Sequence, residues 1–387
     1  MKIALLLPIT LSSFSEYFPG KKMPKGYPYP LFVPLVKKYI NDGHEVIVCT
    51  YDRNLLKSQT FESEKLTIFV AAGCWKPKVS ALLDFKYESA QITKFLKLNP
   101  CDIYHAHWTY EFAIAALKVS PEKTVITVHD WAPYIFKIYN DYFRYKKLKI
   151  SNKVYSLGKY FTTVSPYMGD IVNREYPQIT VKVIPNFLSL NSKYIAKHKN
   201  MNESPIVVAI NNGFDERKNT KNLLLSFEKV LQTIPKAKLY MIGKGYEPDG
   251  EANKWANDNS VTKNVFFIGS LPYDKVLEHL HRADILLHTS REESFGMIFL
   301  EAMMCNTAIV AGKRSGAAPW ILEEGKSGML VDVDDTESTS LGIIKILNSK
   351  MLWENFIGNG ITRVKDFELN VIAKQYLEFY NSILSKC

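Results

Sequence analysis

The sequence predicts an α/β protein made of two similar halves, each a mostly parallel sheet covered by helices. Three observations carry that expectation. Residues 2–9 form a strand-like apolar run, residues 31–40 carry apolar side chains at helical spacing, Asn41-Asp42-Gly43 stops that helix, and residues 44–50 are strand-like again. Strand, helix, strand in that order is a βαβ unit, which goes with a parallel sheet. The same grammar restarts at residues 205–210, with a helix over 222–234 and a strand over 238–243. Finally, Asp284-Ile-Leu-Leu-His288 is a short apolar run of the kind that forms a buried strand. It is followed by Ser294-Phe295-Gly296 and then by residues 297–304, whose composition strongly favours helix.

Between these landmarks the remaining elements fall into place. Residues 10–30 read as a long polar and aromatic loop with glycines at 20 and 26. Residues 102–107 end a strand with His105 and His107, which alternation puts on one face. Residues 124–130 form a β-branched strand ending in His129-Asp130. Residues 189–204 are polar and aperiodic, as a linker would be. The strand at 238–243 runs into Gly243-Lys244-Gly245, but Pro248 stands where a dinucleotide fingerprint needs its third glycine. A last amphipathic helix is expected over 370–385. The halves so defined are residues 1–190, joined by the final helix at about 368–387, and residues 204–367.

The 387 residues have ordinary globular composition, with no low-complexity tract and no repeat. Five scattered cysteines without a C-x-x-C pair indicate neither a zinc ribbon nor a disulfide framework, and fit a reducing, cytoplasmic setting. The histidines have no acidic or cysteine partner at metal-ligand spacing, so no metal is expected. The apolar run at residues 3–7 is short for a signal peptide, and no segment is long enough to span a bilayer. Net charge is +10, and it is unevenly placed. Residues 1–190 hold 25 Lys+Arg against 15 Asp+Glu, and the remainder holds 24 of each. Residues 134–155 concentrate the excess, with Tyr134, Lys137, Arg144, Lys146, Lys147 and Lys149 among interleaved aromatics. Two readings stay open for that stretch: a helix lying on an anionic bilayer at the inner face of the membrane, or a solvated helix with an aromatic core face. Nucleic acid is not expected, because no other segment matches a binding module.

The residues richest in chemistry follow the strand at 284–288. A loop leading into a helix offers unpaired N–H groups and the positive end of a dipole, which suits a phosphate. Glu293 lies in the loop and Glu301 just over one helical turn beyond Gly296. Both can face the carboxyl end of the sheet, where open α/β sheets bind ligands. A carboxylate accepts paired hydrogen bonds from vicinal hydroxyls, so it suits a sugar or a ribose.

The stretch from His288 to Asp332 resembles the E-x7-E signature of the retaining glycosyltransferases of family GT4, which have the GT-B fold. Glu293 and Glu301 match the two glutamates, and Gly316, Gly325, Gly328 and Leu330 match the tail of the block. The resemblance extends over nearly the whole chain, including Gly43-His44-Glu45-Val46, the Thr-Val-His129-Asp130 segment, Val183-Ile-Pro-Asn186 and residues 264–272. It implies two Rossmann-like domains facing across a cleft, with the final helix crossing back to the first. It further implies retaining transfer of a sugar from a nucleotide-diphosphate sugar, without metal or other cofactor, to a glycan or lipid-linked acceptor, as in surface polysaccharide biosynthesis.

By the same resemblance Glu293 contacts the donor sugar, Glu301 binds the ribose, and the amides of Ser294, Phe295, Gly296 and Met297 hold the diphosphate. Lys218 matches a lysine that pairs with the diphosphate. The arginine expected nearby falls at Asn212, for which Arg217 is a candidate substitute. Gly243 matches a strand-end glycine, Leu271 a loop that packs on the nucleotide base, and His129 a histidine near the donor sugar. Gly26 falls where a glycine pair approaches the donor phosphate, with Tyr27 in place of the second glycine. Two other classes compete: a GT-B epimerase or phosphorylase, and a nucleotide-sugar-binding protein that has lost turnover.

Overall fold

Apolar runs too short for helices become parallel strands buried on both faces, as parallel sheets require. In the computed structural model, which describes residues 1–74, 76–195 and 199–386, the chain separates into two units. The first comprises Met1–Pro185 and Leu369–Cys387, the second Asn186–Glu368.

The first unit contains β1 (Lys2–Leu6), β2 (Glu45–Asp52), β3 (Gln59–Glu62), β4 (Leu66–Ala72), β5 (Ile103–His107), β6 (Thr124–Val128), β7 (Tyr160–Thr163) and β8 (Val181–Val183). They form one sheet in the order β3-β4-β2-β1-β5-β6-β7-β8. Every pairing is parallel except that of β3 with β4. Ile3, Ala4, Leu5 and Leu6 of β1 are completely buried at the centre of the sheet. The final helix, Leu369–Leu384, packs on this unit, where the Tyr380 hydroxyl lies 2.6 Å from Nδ1 of His105.

The second unit contains β9 (Ile206–Ile210), β10 (Lys238–Ile242), β11 (Val265–Gly269), β12 (Ile285–His288), β13 (Ala308–Gly312) and β14 (Met329–Val331). Their order is β11-β10-β9-β12-β13-β14, all parallel. This is the 3-2-1-4-5-6 order of doubly wound dinucleotide folds, with the switch point between β9 and β12. The buried Asp284 secures the entry to this unit. Its carboxylate accepts from the backbone N–H groups of Asn202 at 3.0 Å and Ile206 at 2.7 Å, and from the Asn202 amide at 2.9 Å.

The structure departs from the sequence expectations in several places. The hairpin β3–β4 lies in residues that show no clear alternation, because β4 is buried along its length. The division between units falls after Pro185 rather than at residue 190. The stretch read as a linker is not free chain: it holds the short helix Ser192–Ile195, and Lys199 donates to the carbonyls of Ala283 and Asn306. Residues 10–30 are not wholly irregular either, since Leu11–Tyr17 forms a 3-10 helix that buries Leu11 and Phe14.

Candidate functional site

The carboxyl ends of β9, β10 and β12 in the second unit converge on a group of polar side chains. The loop after β12 is tied to the loop after β9 by hydrogen bonds spanning about seventy residues. The Arg291 N–H donates to the Arg217 carbonyl at 2.8 Å, and the Thr289 hydroxyl donates to the carbonyls of Lys218 and Asn219, each at 3.2 Å. Asn219 is fixed in turn by its amide, which donates to the Val333 carbonyl at 2.7 Å. This stitching places Lys218 against Glu293.

Glu293 is the centre of the group. Its Oε1 accepts from the Lys218 ammonium at 2.8 Å and lies 3.0 Å from Nε2 of His288. The side chains of Lys218 and Glu293 are only 10% and 14% exposed, so the pair sits in a medium where charge is poorly screened. Burial pushes the Glu293 carboxyl up, but the His288 hydrogen bond and the Lys218 charge outweigh it and hold the acid well below the usual carboxylate range. Oε2 has no protein partner among the described residues and is the oxygen left for a ligand. The backbone is held as well: the turn at Gly316, which has a positive φ of 58°, brings the Ala317 N–H onto the Glu293 carbonyl at 2.8 Å.

Gly296 adopts a left-handed φ of 89° and opens the helix Met297–Met304 with no side-chain cap. A Cβ there would come within 2.6 Å of the Phe299 ring. Of the first N–H groups of this helix, that of Phe299 donates to the Gly296 carbonyl at 3.0 Å, and helix geometry leaves those of Met297 and Ile298 without an intrahelical acceptor. Phe295 is buried against Trp320 and Phe367 and anchors the loop, while Ser294 and Met297 are half-buried beside it. Glu301 lies on the same helix. Burial raises its carboxyl to about 7, and the Tyr273 side chain hydrogen-bonds to it. Tyr273 opens the helix Tyr273–Arg282 two residues after Leu271, so the loop carrying Leu271 leads directly into the residue that touches Glu301.

Gly243 ends β10 with a φ of 125°, and a Cβ there would fall 1.8 Å from the Asn211 carbonyl oxygen. Only glycine lets these strand ends approach so closely. Asn212 does not extend a free side chain: its Oδ1 accepts from the Lys244 N–H at 3.0 Å and braces the Gly243 turn. Arg217 is half-buried in the loop carrying Lys218.

His129 and Gly26 belong to the first unit. His129 follows β6, and its Nε2 lies 2.9 Å from Nδ1 of His107. Trp108 packs on its ring at 4.4 Å, and burial lowers its pKa to about 3, so the ring is neutral at physiological pH. Gly26 has a φ of 69°, donates its N–H to Asp52 at 2.8 Å and packs against Leu11, which accounts for a glycine there as a turn former.

One expectation for the basic stretch is corrected. Lys147 is not a surface residue: it turns inward to Glu111, with its ammonium 2.7 Å from Oε2. Its environment was unreadable locally because its partner is 36 residues away. Lys146 and Arg144 are engaged nearby by Asp84 and Asp141, whereas Lys137 and Lys149 are exposed. Two residues of the second-unit site were not singled out from the sequence. His288 was legible as a strand terminus, and Tyr273 carried no local signal.

Comparison with known proteins places the chain in a family. Residues 191–363 match the family described as Glycosyl transferases group 1, and residues 33–192 match Glycosyltransferase Family 4. The N-acetyl-alpha-D-glucosaminyl L-malate synthase of Bacillus anthracis is 28% identical over 191 residues, 49% of each chain. The phosphatidyl-myo-inositol mannosyltransferase of Mycolicibacterium smegmatis is 28% identical over 173 residues, 44% of this chain and 43% of that one. The matched region thus spans about half the length of these curated relatives. Sucrose-phosphate synthase from Thermosynechococcus elongatus superposes with a TM-score of 0.77 over 100% of both chains at 16% identity, which establishes a shared fold. Two family matches that together run from residue 33 to residue 363, on two doubly wound units, show that the chain belongs to the GT4 glycosyltransferases of GT-B fold.

Proposed function

We propose that the protein is a retaining glycosyltransferase that moves a sugar from a nucleotide-diphosphate sugar to a glycan or lipid-linked acceptor. The observation that carries this reading is the ionised Glu293, pinned by Lys218 and His288 at the carboxyl end of the second unit's sheet. Each role follows from the local chemistry. A carboxylate held so far below its ordinary range is a weak base, so Glu293 orients donor hydroxyls through Oε2 and does not take a proton. Lys218 has N–H donors beyond the one given to Glu293. Together with the amides at Phe295–Met297 it stabilises charge on the departing diphosphate, the role a metal plays in other transferases. Glu301 accepts from the ribose, and Leu271 packs near the base. His129, as a neutral imidazole, donates to a sugar hydroxyl. The acceptor's proton leaves on a donor phosphate oxygen during same-face attack, so no protein base is needed.

A peripheral position on an anionic membrane surface, at the cytoplasmic face, is a second part of the reading. Among the described residues no helix is long and apolar enough to cross a membrane. The helix Pro77–Leu82 leaves Leu82 62% exposed and Leu83 beside it 48% exposed. It packs beside the helix Tyr142–Leu157, which exposes Tyr142, Tyr145 and Lys149. Apolar tips ringed by lysines match an anionic lipid interface. This surface is proposed for assembly of a surface polysaccharide or glycolipid.

Three outcomes are expected. With a matching nucleotide sugar and acceptor, the protein releases nucleoside diphosphate and forms a product with the donor's anomeric configuration. Glu293→Gln lowers kcat by roughly 10²-fold. Donor binding without release would favour a binding protein, and product formed without an acceptor would favour an epimerase. Second, Glu301 titrates with a folded pKa of about 7 against an ordinary value of 4.5, so its ionisation costs stability that is lost as pH rises through that window. Glu301→Gln should therefore melt higher than the wild type near pH 8 and match it near pH 5, while losing the rise in Tm that a nucleotide produces in the wild type. Equal melting at both pH values would remove Glu301 from this role. Third, in co-sedimentation with vesicles containing phosphatidylglycerol, Leu82→Asp combined with Leu83→Asp should weaken binding roughly tenfold. Unchanged binding would place the membrane contact elsewhere.

A further inference from the structure

The first unit contains a cavity of about 200 Å³ at the carboxyl ends of β1, β5 and β6. Its walls are aromatic: Tyr27, Tyr29, Trp108, Tyr110 and Phe112. Trp108 is held in a left-handed conformation, with φ of 65°, and presents one ring both to this cavity and to His129. Three charged residues complete the lining, and each is constrained.

Lys147 is the single cation of the lining, and its charge is already compensated. The ammonium donates to Glu111 at 2.7 Å and lies 4.2 Å from the Tyr110 ring centroid, 4.7 Å from that of Phe85 and 5.8 Å from that of Phe143. Glu111 is only 3% exposed, and its other oxygen accepts from the Tyr51 hydroxyl at 3.2 Å. Arg53 stands behind Tyr51, its guanidinium 5.9 Å from that ring, and is not part of the lining. Asp130 accepts from the Tyr110 hydroxyl at 2.7 Å through Oδ1. The Trp108 side chain also hydrogen-bonds to this carboxylate, which therefore presents an acceptor set among aromatic rings, with Lys147 as the one cation in the lining.

Such a surface has a definite preference. A pyranose lays its C–H face on aromatic rings and donates hydroxyl hydrogens to carboxylates. A phosphate or carboxylate entering here would meet Asp130 and find Lys147 occupied, and an unpaired charge in a poorly solvated site is costly. From these contacts we infer that this cavity seats an uncharged pyranose ring of the acceptor and rejects phosphorylated or uronic sugars. The inference rests on the transferase reading above and names the acceptor class that reading leaves open. It also runs against the net positive charge of this half of the chain, which by itself would favour an anionic acceptor.

Saturation-transfer NMR on the full chain tests it. The probes are methyl α-glucoside, α-mannoside and α-galactoside, with glucose 6-phosphate and glucuronate as anionic counterparts. Transfer to at least one neutral glycoside, and to neither anion, is expected. Tyr27→Ala changes a residue 43% exposed, so it should fold normally and reduce the neutral signal several-fold. Glu111→Gln frees the Lys147 charge and should bring in the glucose 6-phosphate signal absent from the wild type. Equal transfer to anions in the wild type, or none to any neutral glycoside, would overturn the inference. The nucleotide-induced rise in Tm, which arises in the second unit, is measured on the same samples. If it persists without neutral-sugar transfer, only the cavity assignment fails. If it is absent as well, the transferase reading fails with it.

Discussion

A buried carboxylate that must stay ionised is the constraint around which the second unit is arranged. Glu293 sits in a loop with little access to water, where an isolated charge would cost several kcal/mol. Lys218 and His288 make that position tenable, and each comes from a different place in the chain. His288 ends β12, whereas Lys218 comes from a loop about seventy residues earlier. The hydrogen bonds that tie the two loops together are therefore conditions for the charge, not incidental packing. Removing one member of such a buried pair costs about 3–5 kcal/mol, because the other is left uncompensated. The glycines at 243, 296 and 316 serve the same end by letting strand ends and turns come close enough to fix the loop.

The first unit uses the same device for a different result. Lys147 and Glu111 are also a buried lysine–glutamate pair at the carboxyl end of a parallel sheet. There both glutamate oxygens have protein partners and the lysine is enclosed by aromatic rings, so the pair contributes shape and neutrality. At Glu293 one oxygen is left over and the lysine has further N–H donors. Charge balance is thus reached in both lysine–glutamate pairs, but only the Lys218–Glu293 pair leaves its own groups available for a ligand. The histidine chain beneath His129 belongs to the first pattern. His105 and His107 are buried and kept neutral by burial, and they fix a ring at the edge of the cavity without adding charge.

Much of this was legible in the sequence, and the remainder has physical reasons for being hidden. The strand-loop-helix at 284–304 is local, so its composition announced both the elements and the two glutamates they carry. The parallel character of the second unit's sheet follows from repeated βαβ grammar, whereas its strand order became visible only in the fold. What could not be read depends on tertiary closure. Tyr273 reaches Glu301 only because two helices pack together, and nothing in its neighbourhood marks it. Lys147 lies in a run of basic residues that looks uniform in sequence, yet burial of Glu111 selects that one lysine to turn inward. Asn212, which falls where the resemblance expects an arginine, has its side-chain oxygen engaged by the Lys244 backbone N–H. The buried strand β4 shows no alternation, because both of its faces are covered.

The ionisation state of Glu293 tests the account most directly. Side-chain carboxyl carbons can be titrated by 13C NMR, with Glu293→Gln identifying the resonance. This carboxyl should remain a carboxylate down to the lowest pH at which the protein stays folded, and Lys218→Met should move its titration upward. A Glu293 that titrates at or above the ordinary glutamate range, or one indifferent to loss of Lys218, would contradict it.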